Sequence, residues 1–108
     1  MDKIAEAADY LYNGHAFFRE GRHKEALAKY KYAISLNPSI SQAYNSWGVI
    51  LQENGRYSEA EIMYRKAITL NPKFTGAYRN LVSNMKKQGR DQEAKEFEKH
   101  CPPKCSVM

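Results

Sequence analysis

The chain repeats itself at an offset of 34 positions. Tyr10, Gly14, Gly21, Arg22, Glu25, Ala26, Tyr30, Ala33, Asn37 and Pro38 come back as Tyr44, Gly48, Gly55, Arg56, Glu59, Ala60, Tyr64, Ala67, Asn71 and Pro72. Part of the set returns once more as Tyr78, Gly89, Arg90, Glu93 and Ala94. A fixed period of this length marks stacked supersecondary units, each too small to bury its own apolar face. Such a chain is built for contact surfaces, because every unit must lean on the next.

The residues inside one period identify the unit. Between Ala7 and Glu20 the apolar residues Tyr10, Leu11, Phe17 and Phe18 are spaced as on one helical face, and Gly21 stops the segment. From His23 to Leu36 the residues Ala26, Leu27, Tyr30, Ala33 and Ile34 repeat the pattern. Asn37-Pro38 closes it, since proline disfavours α geometry in the residue before it. Two helices joined by a glycine turn form an antiparallel hairpin. Its copies are 41–54 with 57–70 and 75–88 with 91–101. Gly14 and Gly48 fall in the middle of first helices, where glycine costs about 1 kcal/mol relative to alanine. Close approach of a second helix explains them, with Ala26, Ala60, Ala94, Ala33 and Ala67 as the facing small residues.

Trp47-Gly48, Leu51, Gly55, Tyr57, Ala60, Tyr64, Ala67 and Pro72 resemble the tetratricopeptide repeat pattern, and Gly14, Phe17, Gly21, Ala26, Tyr30, Ala33 and Pro38 match it one period earlier. The third copy is degenerate. Val82 replaces the helix glycine, Glu98 stands in place of Tyr30 and Tyr64, and Cys101 precedes Pro102-Pro103. The resemblance implies an all-α fold, an α-solenoid of three stacked antiparallel helix hairpins wound as a right-handed superhelix. The expected organisation is an N-terminal extension 1–6, one domain 7–101 with repeats 7–40, 41–74 and 75–101, and a tail 102–108.

Composition narrows the function classes. With 43% hydrophobic and 27% charged residues the chain reads as a water-soluble helical protein, and no stretch reaches the roughly 18 apolar residues of a membrane span. No secretory signal is visible at the N-terminus, and both cysteines fall in the last eight residues, so the expected compartment is the cytoplasm. The net charge of +5 is scattered among interleaved lysines and glutamates, too sparse for a nucleic-acid stripe. His15, His23 and His100 sit in no triad-like arrangement and no glycine-rich loop follows a strand, so no enzyme, cofactor or metal is expected. Glu25, Glu59 and Glu93 recur with the period, which marks them as scaffold.

The resemblance places a binding groove on the first helices, with an extended peptide or a helix of a partner protein as ligand. The groove positions it implies include Leu11, Tyr12, His15 and Phe18 in the first copy, Asn45, Ser46 and Val49 in the second, and Arg79, Asn80, Lys86 and Lys87 in the third. This series runs from apolar and aromatic to basic. It matches a peptide with acidic residues at one end and a large apolar anchor at the other, with Asn45 and Asn80 bonding peptide amides. Chaperone-binding members of the family hold a C-terminal carboxylate with Lys, Asn, Asn, Lys and Arg. Here those positions carry Leu11, His15, Ser46, Gly76 and Asn80, so a carboxylate clamp is not expected.

Two further readings concern assembly and the tail. The short third hairpin suggests a self-assembly module, a homo-oligomer stacking through terminal helices. Cys101 occupies the repeat position of Ala33 and Ala67, the place of a small buried apolar residue, while Cys105-Ser106-Val107-Met108 fits a prenylation box. A lipid on Cys105 would make the chain a membrane-associated adaptor; without it no membrane contact is expected.

Overall fold

The computed structural model describes residues 2–101 and contains six helices: α1 (Lys3–Arg19), α2 (His23–Leu36), α3 (Ser41–Glu53), α4 (Tyr57–Leu70), α5 (Thr75–Lys87) and α6 (Asp91–Glu98). Each helix pairs with its neighbour in sequence, and α3 also packs directly on α5. The result is an all-α solenoid of helical hairpins. The molecule is elongated, 45 × 26 × 22 Å, as a stack of units must be.

Helix boundaries follow local chemistry. α1 begins four residues earlier than Ala7, because the Asp2 side chain accepts hydrogen bonds from the Ile4 and Ala5 amides at 3.0 and 3.4 Å and so caps a turn that the apolar periodicity did not reveal. Each hairpin turns at a glycine with positive φ: Gly21 at 76°, Gly55 at 79° and Gly89 at 78°. There the chain makes the paired bonds of a Schellman motif, for example from Arg56 N to Leu51 O (2.9 Å) and from Gly55 N to Gln52 O (3.0 Å). Only glycine adopts that conformation without penalty. The arginine after each glycine then pairs with the glutamate three residues on: Arg22 with Glu25, Arg56 with Glu59 (2.6 Å) and Arg90 with Glu93 (2.7 Å). Between hairpins, the Asn37 and Asn71 side chains accept from the Ser39 and Lys73 amides at 3.1 and 3.2 Å, closing an Asx turn around the following proline.

The core corrects one expectation. A Cβ built on Gly14 would lie 2.6 Å from Cε1 of Tyr30, and one on Gly48 would lie 2.6 Å from Cε1 of Tyr64. The helix glycines therefore face the two buried tyrosine rings; the recurrent alanines are buried elsewhere along the second helices. Val82 stands at the glycine position of the third repeat because its opposite number is Glu98, a solvated carboxylate with no ring to accommodate.

α6 ends at Glu98, and Cys101 lies beyond it in a bend. Cys101 is only half-buried and is disulfide-bonded, so it is not the buried apolar thiol expected by analogy with Ala33 and Ala67. Cys105 and its prenylation box lie outside the described residues. Among the described residues, no helix is long and apolar enough to cross a membrane.

Candidate peptide-binding groove

α3 touches α5 directly, whereas the second helices are separated by open creases on the other side. The stack is therefore tighter along its first helices, which makes their exposed side the inner surface of the curve. The expected site residues distribute along this surface unequally.

At the N-terminal end His15, Phe18, Ser46 and Val49 come together from α1 and α3 around a cleft of 190 Å³ whose remaining wall is Tyr30, reaching through from α2. Tyr30 is fully buried, yet its hydroxyl shares a 2.8 Å hydrogen bond with His15 Nδ1. Burial pushes the phenol's pKa up, against a hydrogen bond to Ser46 and the nearby charge of Arg19. The His15 ring is held below its ordinary pKa by burial and then by Arg19, which keeps it neutral at pH 7. Phe18 stacks on His23, with ring centroids 5.2 Å apart and planes at 11°, and His23 Nε2 lies 3.3 Å from the Glu53 carboxylate. The cleft thus has apolar sides, Phe18 and Val49, and a polar floor.

Leu11 does not belong to this surface. It is 2% exposed and packs in the core with Ala26, Tyr30, Ala43 and Ile50, since at that turn of α1 the second helix and α3 both close over it. Tyr12, one residue on, is 67% exposed.

In the middle of the surface, Asn80 Nδ2 donates to Asn45 Oδ1 at 2.9 Å, joining α5 to α3. Each amide has two hydrogens and an oxygen with two lone pairs. The pair therefore retains donors on Asn45 and acceptor capacity on Asn80 for a further partner. At the C-terminal end Arg79, Lys86 and Lys87 are exposed, and Lys86 Nζ lies 3.5 Å from Glu98. That contact lowers the net charge of the basic end, because the glutamate that replaces the repeat tyrosine supplies the counter-ion.

A second polar system escaped the sequence reading. Asn84 is fully buried where the preceding repeat has Ile50. Its Nδ2 donates to Gln52 Oε1 (3.2 Å) and to the Tyr57 carbonyl (3.0 Å), and its Oδ1 accepts from Gln88 Nε2 (2.5 Å). Gln52 Oε1 also accepts from the Tyr64 hydroxyl at 3.2 Å. Gln88 Nε2 donates to Glu61 at 3.3 Å, and Arg90 Nη1 reaches the same carboxylate oxygen at 2.6 Å. Burial alone would raise the Glu61 pKa, but hydrogen bonds from Arg90, Arg65 and Gln88 outweigh it and hold the carboxyl below its ordinary value. The one signal in the sequence was Asn84 itself, a polar residue on an apolar repeat position. Among the described residues no cluster of ligating side chains could hold a metal ion.

Comparison with known proteins gives concordant results. Two family models match, one described as Tetratricopeptide repeat over residues 41–74 and one as TPR repeat over residues 14–55, together spanning more than half of the 108 residues. No curated protein sequence matches the chain. Among solved structures, the second TPR of Spaghetti (RPAP3), bound to the HSP90 peptide SRMEEVD, is similar with a TM-score of 0.82 at 22% identity, covering 90% of either chain. The Arabidopsis OM64 TPR domain is similar with a TM-score of 0.83 at 21% identity, covering 91% of this chain and 81% of that one. Both likenesses are of fold. MamA is similar with a TM-score of 0.81 at 28% identity over 87% of this chain, which spans only 55% of the MamA chain.

Proposed function

Because the chain belongs to the tetratricopeptide repeat family, we propose that it is a non-catalytic protein-interaction module that holds an extended peptide of a partner protein along the inner surface of its first helices. The observation that carries this reading is the Asn80–Asn45 bond in mid-surface. The pair offers a donor and an acceptor side by side, the complement of a peptide unit's C=O and N–H, and it does so whatever side chain the ligand carries. The cleft beside Phe18 and Val49 is the seat for an apolar anchor, and Arg79, Lys86 and Lys87 favour acidic residues beyond the asparagines.

The ligand is not held by a terminal carboxylate. The RPAP3 domain is bound to an HSP90 peptide, but the positions that clamp a carboxylate in chaperone-binding relatives carry Leu11, His15, Ser46, Gly76 and Asn80 here, with Leu11 sealed in the core. Without cations there, a carboxylate would lose its hydration uncompensated.

End-to-end stacking is the weaker reading. α3 meets α2 with Ala43, Trp47 and Ile50, and the same positions of α1 are Asp9, Asn13 and Ala16, with Asp9 and Asn13 exposed. An outward face of that kind gives another copy far less apolar contact than α3 gives α2.

The test is charge reversal. Arg79→Glu with Lys87→Glu should abolish binding of a partner captured by the unmodified protein while leaving the melting temperature nearly unchanged, since exposed charges contribute little to folding. Binding of the unmodified protein should also weaken with salt, because exposed charges are screened over about 10 Å at 0.1 M ionic strength. Full affinity in the reversed variant would remove the basic end from the site.

A further inference from the structure

The side opposite the groove carries two creases of related geometry and different chemistry. One, of 300 Å³, lies between α2 and α4 and is floored by Leu27, Trp47, Leu51 and Met63. The other, of 290 Å³, is its equivalent one period on, between α4 and α6, and is lined by Met85 and Phe97 together with Arg65, Glu93, Glu96 and His100. Folding requires the crease, since splayed second helices leave one in every period. It does not require what fills the rim of the first. Ile62 there is 60% exposed, whereas the same position is Ala28 one period earlier and Glu96 one period later.

The rim charges also differ. On α2, Lys24, Leu27 and Lys31 share one helical face, and on α4, Glu59, Ile62 and Lys66 share another. Glu59 is held by Arg56 at 2.6 Å, which leaves Lys31 as the excess charge on the crease lining, with Lys24 and Lys66 further along the same helix faces. Lys31 Nζ lies 5.2 Å from the Trp47 ring centroid, and Lys66 Nζ lies 5.6 Å from that of Tyr44. Both ammonium groups are poised over aromatic faces, worth only about 0.5–1 kcal/mol at such exposure. A carboxylate arriving at the rim can therefore recruit them cheaply.

We propose that the crease between α2 and α4 is a second docking surface, which takes an acidic amphipathic helix from another protein and seats one bulky apolar side chain of that helix between Trp47 and Ile62. A helix is the natural occupant. One wall, α2, carries Lys24 and Lys31 seven residues apart and the other, α4, carries Lys66, so acids on both flanks of a ligand helix meet a cation while its apolar stripe faces the floor. The surface is distinct from the inner groove, so a module with both could join two partners.

Trp47 is the only tryptophan of the chain and forms part of the crease floor, so its emission reports occupancy directly. The probe is a synthetic helical peptide of leucine and glutamate, about four turns or roughly 14 residues long, with leucine on one face. It should bind saturably, shift the Trp47 emission, and lose affinity with added salt. Ile62→Glu should weaken it at least about tenfold, the loss expected for a central anchor. That variant keeps the fold, since Glu96 already occupies the equivalent position. Arg79→Glu with Lys87→Glu, on the opposite surface, should leave the affinity within about twofold. The proposal is overturned if the peptide fails to bind, if it binds without moving the Trp47 emission, or if Ile62→Glu binds as well as the unmodified protein.

Discussion

Gly48 and Tyr64 act as one unit, as do Gly14 and Tyr30. The ring lies where a side chain on the glycine would be, and the Tyr64 ring is itself buried and unable to swing away. Gly48→Ala should therefore destabilise the protein by about 1–3 kcal/mol through overpacking, even though alanine is the better helix former by about 1 kcal/mol. Tyr64→Leu alone should also destabilise, by leaving a void and removing one of the two hydrogen bonds that Gln52 Oε1 accepts. Together the two changes should cost less than the sum of their separate effects, with a coupling of about 0.5–3 kcal/mol in denaturant titrations. Strict additivity would show that the ring and the glycine are independent. Val82 and Glu98 in the third repeat are the natural form of the relieved pair.

Between helices, the third repeat is joined to the second by a buried polar network as well as by the apolar core of Leu51, Tyr64, Leu81 and Met85. Asn84 links α5 to α3 and to the start of α4, and Glu61 on α4 is held by Gln88 and Arg90 from the turn before α6. Asn84→Ala should cost about 1–3 kcal/mol, because the Tyr57 carbonyl would remain in place without its donor. A loss of less than about 0.5 kcal/mol, the range of ordinary surface changes, would show that water replaces the amide without penalty. The same junction should be sensitive to acid. The Glu61 pKa is lowered in the folded state, so its contribution is complete above the unfolded glutamate value of about 4.3 and is lost as pH falls through the lower folded value. Urea midpoints should therefore fall on acidification more steeply for the unmodified protein than for Glu61→Gln. Equal slopes would assign the acid sensitivity to other carboxylates.

The array as a unit is short, and its outward faces decide whether it grows. Three repeats are about the minimum for a stable stack, and terminal repeats must present polar surfaces. Asp9 and Asn13 supply that at one end, on positions where α3 carries Ala43 and Trp47. The 108-residue protein should then sediment as a single species of 12.5 kDa over a wide concentration range. A mass that rises with concentration would revive the stacking reading. The inner surface and the α2/α4 crease would be open in such a monomer, as two-sided recognition needs.

What the residues alone dictated is everything that repeats and acts locally. The period, the glycine turns, the Asn-Pro breaks and the helix type depend on backbone geometry within a few residues, so each copy states them again. The groove series was readable through the resemblance to the repeat family, whose positions include His15, Phe18, Ser46 and Val49, the residues that line one cleft. Register could not separate Leu11 from Tyr12, because only the closure of α2 and α3 over one turn of α1 buries the first and leaves the second in water. Tertiary structure alone decided that Tyr30 floors the cleft, that Asn45 meets Asn80, and that Asn84 and Glu61 bind the last hairpin. These contacts join residues from 15 to 35 positions apart. No local rule sets them, since a side chain's partner is chosen by how whole helices lie against one another.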